Sequence, residues 1–220
     1  MTSSGTAAPR KLEVAPGRFG GWIESFGVRH GDLAVTRADG VVTFAAADGA
    51  VAGCQVPFPP LPGPGDAAPA EFANLIATHA TADRIVGVFL VRLGGYAAGV
   101  FTGAQPVLSA SKVGSRLVHG RSAAGGTSQQ RFARRRENQA SQALSAAADT
   151  AAAVFGPYQL DALVLGGDRR AFAPIKDDAR LAPYFQMATD VFLTVPDPRL
   201  AVLKDTPKQF RAIRITLTEP

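Results

Sequence analysis

Between Pro57 and Pro69 the chain carries Pro57, Pro59, Pro60, Pro62, Pro64 and Pro69, with Gly63 and Gly65 among them. Proline lacks a backbone N–H and fixes φ, so such a run continues neither a helix nor an interior strand. Residues 57–69 therefore read as a linker or extended loop, and they divide the 220-residue chain in two. Ahead of the linker, residues 1–10 are small and polar and read as a disordered tail. Residues 11–56 read as an N-terminal subdomain. Phe19, Trp22, Ile23 and Phe26 recur at helical spacing, which predicts a helix over 18–28. Strand-like runs follow at 33–36, 41–45 and 51–56. Asp39-Gly40 and Asp48-Gly49 separate them, and such pairs favour tight hairpin turns, so a small antiparallel meander is expected.

Beyond the linker, residues 70–220 read as one larger domain. A helix is expected over 71–82, then strands at 85–92, 96–102, 106–111 and 113–118. The longest helical pattern covers 129–155, with Phe132, Ala140, Leu144, Ala147, Ala151 and Phe155 in a narrow apolar stripe that suits close packing on a sheet. A buried strand at 161–165 ends in Gly166-Gly167. A helix near 198–204 and a strand at 211–218 complete the chain. Alternating helices and strands imply an α/β (α+β) fold, with a mixed sheet packed with helices, preceded by the helix and meander.

Hydrophobic residues make up 46% and charged residues 19%, enough apolar content for a buried core. Cys54 is the single cysteine, which excludes a disulfide framework and a Cys-based zinc site. No apolar run reaches the ~18 residues of a membrane span, and residues 1–10 show no secretory signal, so a cytoplasmic protein is expected. The net charge of +5 favours a polyanionic partner.

That charge is concentrated. Lys112, Arg116, Arg121, Arg131, Arg134, Arg135 and Arg136 fall together with His119, and no acid interrupts before Glu137. The middle of this stretch, Ser122-Ala123-Ala124-Gly125-Gly126-Thr127-Ser128, is small and flexible. A basic strand leads in and a basic helix leads out. A solvated loop and helix would account for the pattern in the plainest way. RNA contact is the sharper reading, since arginine and backbone N–H groups both grip phosphates. A nucleotide-binding loop is disfavoured: no Gly-Lys-Ser/Thr follows the glycines, and no G-x-G-x-x-G occurs.

Gly125-Gly126-Thr127-Ser128-Gln129, followed by Gln130-Arg131-Phe132-Ala133-Arg134-Arg135-Arg136, resembles the catalytic loop of release-factor-like peptidyl-tRNA hydrolases. These are related to the catalytic middle domain of eukaryotic and archaeal class-1 release factors. The resemblance is to the branch acting in ribosome-associated quality control, including an actinobacterial subgroup, and residues 114–139 carry most of it. It implies a release-factor catalytic-domain-like fold over 70–220 with a mobile catalytic loop at 120–130. It also implies hydrolysis of peptidyl-tRNA on the large ribosomal subunit by a monomer with no cofactor and no metal. Gly125, Gly126, Thr127, Ser128 and Gln129 would form the catalytic set. Arg116, His119, Arg121, Gln130, Arg131, Arg134, Arg135 and Arg136 would contact RNA. The termination factors have Gly-Gly-Gln contiguous, whereas Thr127 and Ser128 intervene here, as in the quality-control branch. The neighbouring Gln130 leaves the register open by one residue. The zinc finger, ankyrin repeats and ATPase-binding helix of larger relatives, and the stop-codon-reading domain, have no counterpart.

The chemistry fits a glutamine. Its amide does not titrate near neutral pH, but it accepts and donates hydrogen bonds and so can hold a water in line with an ester carbonyl. Two other readings stand beside hydrolysis: an endonuclease cutting near the tRNA 3′ end, and a non-catalytic RNA-binding factor in the ribosomal A site. No G-x-S-x-G elbow is present. His30 and His79 read as structural, and Trp22 and Phe26 as core. Asp168, Asp177 and Asp178 read as surface or capping residues, because their spacing matches no metal cage.

Overall fold

The computed structural model describes residues 8–63, 65–92, 94–115 and 128–220. In chain order the elements are β1 (Arg10–Val14), α1 (Pro16–His30), β2 (Leu33–Ala38), β3 (Val41–Ala46), β4 (Val51–Gln55) and α2 (Pro69–Thr81). Then come β5 (Val86–Arg92), β6 (Gly95–Thr102), β7 (Val107–Ser115), α3 (Ser128–Phe155) and β8 (Ala162–Gly167). A 3-10 turn (Arg169–Phe172), α4 (Ala182–Gln186), β9 (Ala188–Leu193), α5 (Leu200–Phe210) and β10 (Ile213–Thr218) follow.

The chain divides into two compact units. One joins the chain up to Ala82 with Lys208–Pro220, and the other is Asp83–Pro207. This differs from the expected boundary at the 57–69 loop. The cause is packing: Phe72 and Ile76 of α2 and Ile213, Ile215 and Leu217 of β10 share the core of the first unit. Burial of those side chains outweighs their position in the sequence.

In the first unit an antiparallel sheet runs in the order β1-β10-β4-β3-β2. The expected meander β2-β3-β4 is present, and its turns use left-handed backbone at Asp39, Gly40 and Gly49. One sheet face is apolar, with Phe44, Ala52, Cys54 and Ile215 buried beneath Phe19, Ile23 and Phe26 of α1. Trp22 is half-buried and stacks between Phe19 and Phe26. Pro69 opens α2 at a position where a missing N–H costs nothing, and Glu71 accepts the Ala68 N–H at 3.2 Å. His30 and His79 are structural: His30 Nδ1 meets Asp48 Oδ2 at 2.8 Å, and His79 Nε2 meets the Phe58 carbonyl at 2.8 Å.

The second unit holds a mixed sheet in the order β7-β6-β5-β8-β9, antiparallel from β7 to β5 and parallel from β5 to β9. Its central strand β5 is buried from Val86 to Val91, as a strand covered on both faces must be. Ala147, Ala151 and Phe155 of α3 cover Phe89, Val91, Ala98 and Val100. On the other face Leu203 of α5 lies over Gly99, where an added Cβ would stand 2.8 Å from Leu203 Cδ2. The runs expected at 106–111 and 113–118 form a single strand as far as Ser115. Register shifts between Val100 and Phe101, which face Ala110 and Leu108, leaving Ser109 as the extra residue of a bulge.

Helix α5 continues past the expected stop at 204 although Pro207 lies inside it. Proline leaves the carbonyl four residues back without its usual partner. Here that carbonyl is Leu203 O, and the buried Thr206 hydroxyl donates to it at 2.7 Å. Thr206→Val keeps the shape and removes the donor. It is expected to lower stability by about 1–3 kcal/mol, measured by denaturant unfolding.

Candidate RNA-contacting edge and catalytic helix

Strands β5, β7 and β8 all end at one edge of the second sheet. Arg92 pairs with Gly95, Gly95 with Ser115, and Val91 with Gly167. Strand β7 ends at Ser115 at this edge, and α3 begins at Ser128. Helix α3 then crosses the edge at Ala140–Leu144, where Ala140, Ala143 and Leu144 face Val91, Arg92 and Tyr96 across a cleft. Residues 128–139 of α3 precede that point, about 18 Å of helix at 1.5 Å per residue.

The sequence marks where the packing begins. From Ala143 onward α3 buries a side chain every three or four residues: Ala147, Ala151, Val154 and Phe155. These small residues let the helix lie close on β6 and β7. Upstream, the described side chains Arg134, Glu137 and Asn138 are exposed. Gln139 and Ala140 are half-buried, so the alanine stripe gives way to exposed, charged side chains over this stretch.

The proposed catalytic and RNA-contacting residues divide accordingly. Ser128, Gln129, Gln130 and Arg131 occupy the first turn of α3, and Arg134, Arg135 and Arg136 follow on the part before Ala140. Arg134 is exposed. Gly125, Gly126 and Thr127, together with Arg116, His119 and Arg121, lie outside the described residues, as does most of the loop 120–130. Lys112 is exposed on β7, opposite Ala98. Gly114 has a steric role: the Tyr96 ring occupies the space that a Gly114 side chain would need.

Three residues of this edge carry no strong sequence signal: Arg92, Tyr96 and Arg170. Arg92 Nη1 donates to the Val195 carbonyl at 2.7 Å. Asp168 caps the 3-10 turn through Arg170 N at 2.9 Å, and its own N–H donates to the Val91 carbonyl at 2.7 Å. Gly167 sits at φ 103°, where a side chain would meet that same carbonyl. Arg169-Arg170, one residue after a buried strand ending in Gly166-Gly167, is the available hint, since ligands gather at the carboxyl ends of parallel strands.

The remaining acids are structural. Asp178 accepts from the Arg180 side chain at 2.6 Å and from its N–H at 3.0 Å, and these bonds hold its carboxyl below the usual range. Asp177 is exposed. Among the described residues no group of His, Cys, Asp or Glu could hold a metal, and no helix is long and apolar enough to cross a membrane.

The sequence pattern of the Actinobacteria/chloroflexi VLRF1 release factors matches residues 84–216. Among solved structures, the chain is similar to the Vms1 mitochondrial localization core at 15% identity. That likeness covers 79% of this chain and 75% of that one, with a TM-score of 0.42. It is also similar to the archaeal translation termination factor aRF1 at 12% identity, covering 94% of this chain and 68% of that one, with a TM-score of 0.41. Comparison with curated proteins gives no match. The matched residues span the second sheet, the edge where β7 gives way to α3, and the basic start of α3, and the chain belongs to the Actinobacteria/chloroflexi VLRF1 release factor family.

Proposed function

We propose that the protein hydrolyses the ester of peptidyl-tRNA on stalled large ribosomal subunits, and that the Asp83–Pro207 unit carries the chemistry. The observation that carries this reading is the position of Gln129 in the first turn of α3, upstream of the part of that helix that packs on the sheet from Ala143 onward. A side chain near the start of such a helix can enter a narrow RNA-walled site that the body of the domain cannot. There the Gln129 amide holds a water against the ester carbonyl, and a neighbouring backbone N–H stabilises the oxyanion as it forms. Gly125 and Gly126 let the backbone approach the tRNA 3′ end without side-chain obstruction. Water adds to the carbonyl carbon, the bond to the ribose oxygen breaks, and the proton passes to the leaving hydroxyl.

Arg131, Arg134, Arg135 and Arg136 act before the chemistry by gripping phosphates and setting the depth of the helix. Replacing Arg134, Arg135 and Arg136 with alanine is expected to weaken subunit binding. The slope of log affinity against log salt should fall by about 0.7–0.9 for each phosphate that is no longer neutralised. An unchanged slope in a filter-binding titration would place these arginines elsewhere.

The direct test is incubation with stalled large subunits carrying labelled peptidyl-tRNA. Released peptide with an intact tRNA CCA end supports ester hydrolysis. A shortened tRNA supports endonucleolytic cleavage instead, and binding without product supports a non-catalytic factor.

A further inference from the structure

The geometry points to a nucleotide-binding subsite in the cleft between Tyr96 and α3, one that stacks a single-stranded RNA base and holds its phosphate. The inference rests on tRNA as the substrate. It adds a contact made by the sheet edge itself, apart from the helix tip and the loop.

The cleft has a volume of about 220 Å³ and opens to solvent. Its walls are chemically divided. Tyr96, Ala140, Ala143, Leu144 and Ala171 give an apolar slot, while Arg92 and Arg170 stand exposed at its rim with Asp168 beside them. A planar, apolar-faced ligand with an anionic end matches that division. Aromatic stacking with an adjoining arginine is how sequence-tolerant single-strand sites are built.

The slot is also preorganised. Tyr96 is half-buried, packs against the core, and its ring lies across Gly114. The turn bearing Arg170 is tied to the end of β5 by the bond from Asp168 N to Val91 O and by the left-handed Gly167. Arg92 is held by the Val195 carbonyl. The backbone bearing Arg170 and the Arg92 side chain are thus positioned near the slot before any ligand arrives, which lowers part of the ordering cost of binding. The cleft lies where α3 crosses the sheet edge, so a strand seated there continues along the same helix that carries Arg134 and Gln129.

The test uses the full chain and a fluorescein-labelled single-stranded decamer, rA10, in anisotropy titrations over a range of salt. Tyr96→Ala is expected to weaken binding roughly ten- to hundred-fold with little change in salt slope, because stacking is not ionic. Tyr96→Phe should restore it. Arg170→Ala should reduce the salt slope by about 0.7. Ala140→Phe fills the slot from the helix side without removing a core group, so it should block binding even if Tyr96→Ala proves unstable. Tyr96→Ala and Ala140→Phe proteins that are folded and bind rA10 like the wild type would overturn the subsite. Peptide release from stalled subunits is scored separately. Wild-type release with cleft variants that still bind rA10 normally rejects the subsite alone, whereas absence of wild-type release rejects the hydrolase reading and leaves the rA10 result to decide the cleft.

Discussion

Replacing Gln129 with alanine is expected to slow peptide release by on the order of 10²–10³ while subunit binding and melting temperature stay at wild-type values. The loss corresponds to about 2–4 kcal/mol of transition-state stabilisation, the scale of one preorganised hydrogen-bonding group. Binding is expected to persist because the proposed phosphate contacts, Arg134, Arg135 and Arg136, lie further along α3. Stability persists because the first buried side chain described on that helix is Ala143, several turns away. Gln130→Ala is expected to lose far less. The measurement is single-turnover release from stalled subunits, with a pull-down of the same subunits in parallel. Normal release by Gln129→Ala would remove that residue from the mechanism. Loss confined to Gln130→Ala would keep the mechanism and move it by one residue.

Phe155→Ala should produce the opposite signature, with activity lost through the fold. Phe155 is fully buried at the far end of α3 from Gln129. Its ring meets Phe89 edge-on at 6.2 Å and Tyr184 at 5.4 Å. Truncating such a ring leaves a cavity, and costs of about 3–5 kcal/mol are usual. Set against a typical total of about 5–15 kcal/mol, that is a large fraction. A melting temperature lower by on the order of 10 °C is expected. Release activity should then follow the folded fraction and recover on cooling. Unchanged melting would mean that α3 is anchored by residues other than its terminal phenylalanine.

The two signatures reflect what local sequence records and what it does not. The meander is legible because Asp39-Gly40 and Asp48-Gly49 encode turns within a few residues. Helix α3 is legible because its alanine stripe persists over many turns. Helix α5 extends beyond its expected end because Pro207 is a stop signal unless a neighbour repairs it, and the Thr206 hydroxyl bond is a three-dimensional repair. Strands β1 and β9 have no local signature of their own. Their patterns are short; β1 finds its partner β10 at the other end of the chain, and β9 joins β8 through a parallel crossover. At the proposed site, the Gly-Gly-Thr-Ser-Gln run and the arginines after it stand out in the sequence. The Tyr96 cleft cannot, since Tyr96, Ala140 and Arg170 meet only through the crossover from β7 to β8.

The place of β10 has a consequence for how the protein is made. It lies between β1 and β4, yet it follows the whole Asp83–Pro207 unit in the chain. A ribosome delivers every strand of the second sheet, β5 to β9, before the strand that joins the two parts of the first. The inserted unit can close its sheet during synthesis while β1 waits without a partner and β4, paired with β3, waits with its other edge open. Until Ile213–Thr218 emerges, those two strands present open backbone donors and acceptors, the kind of edge that invites pairing with other chains. A chain interrupted just before Ile213 would therefore carry a finished second sheet beside a first sheet split along its middle.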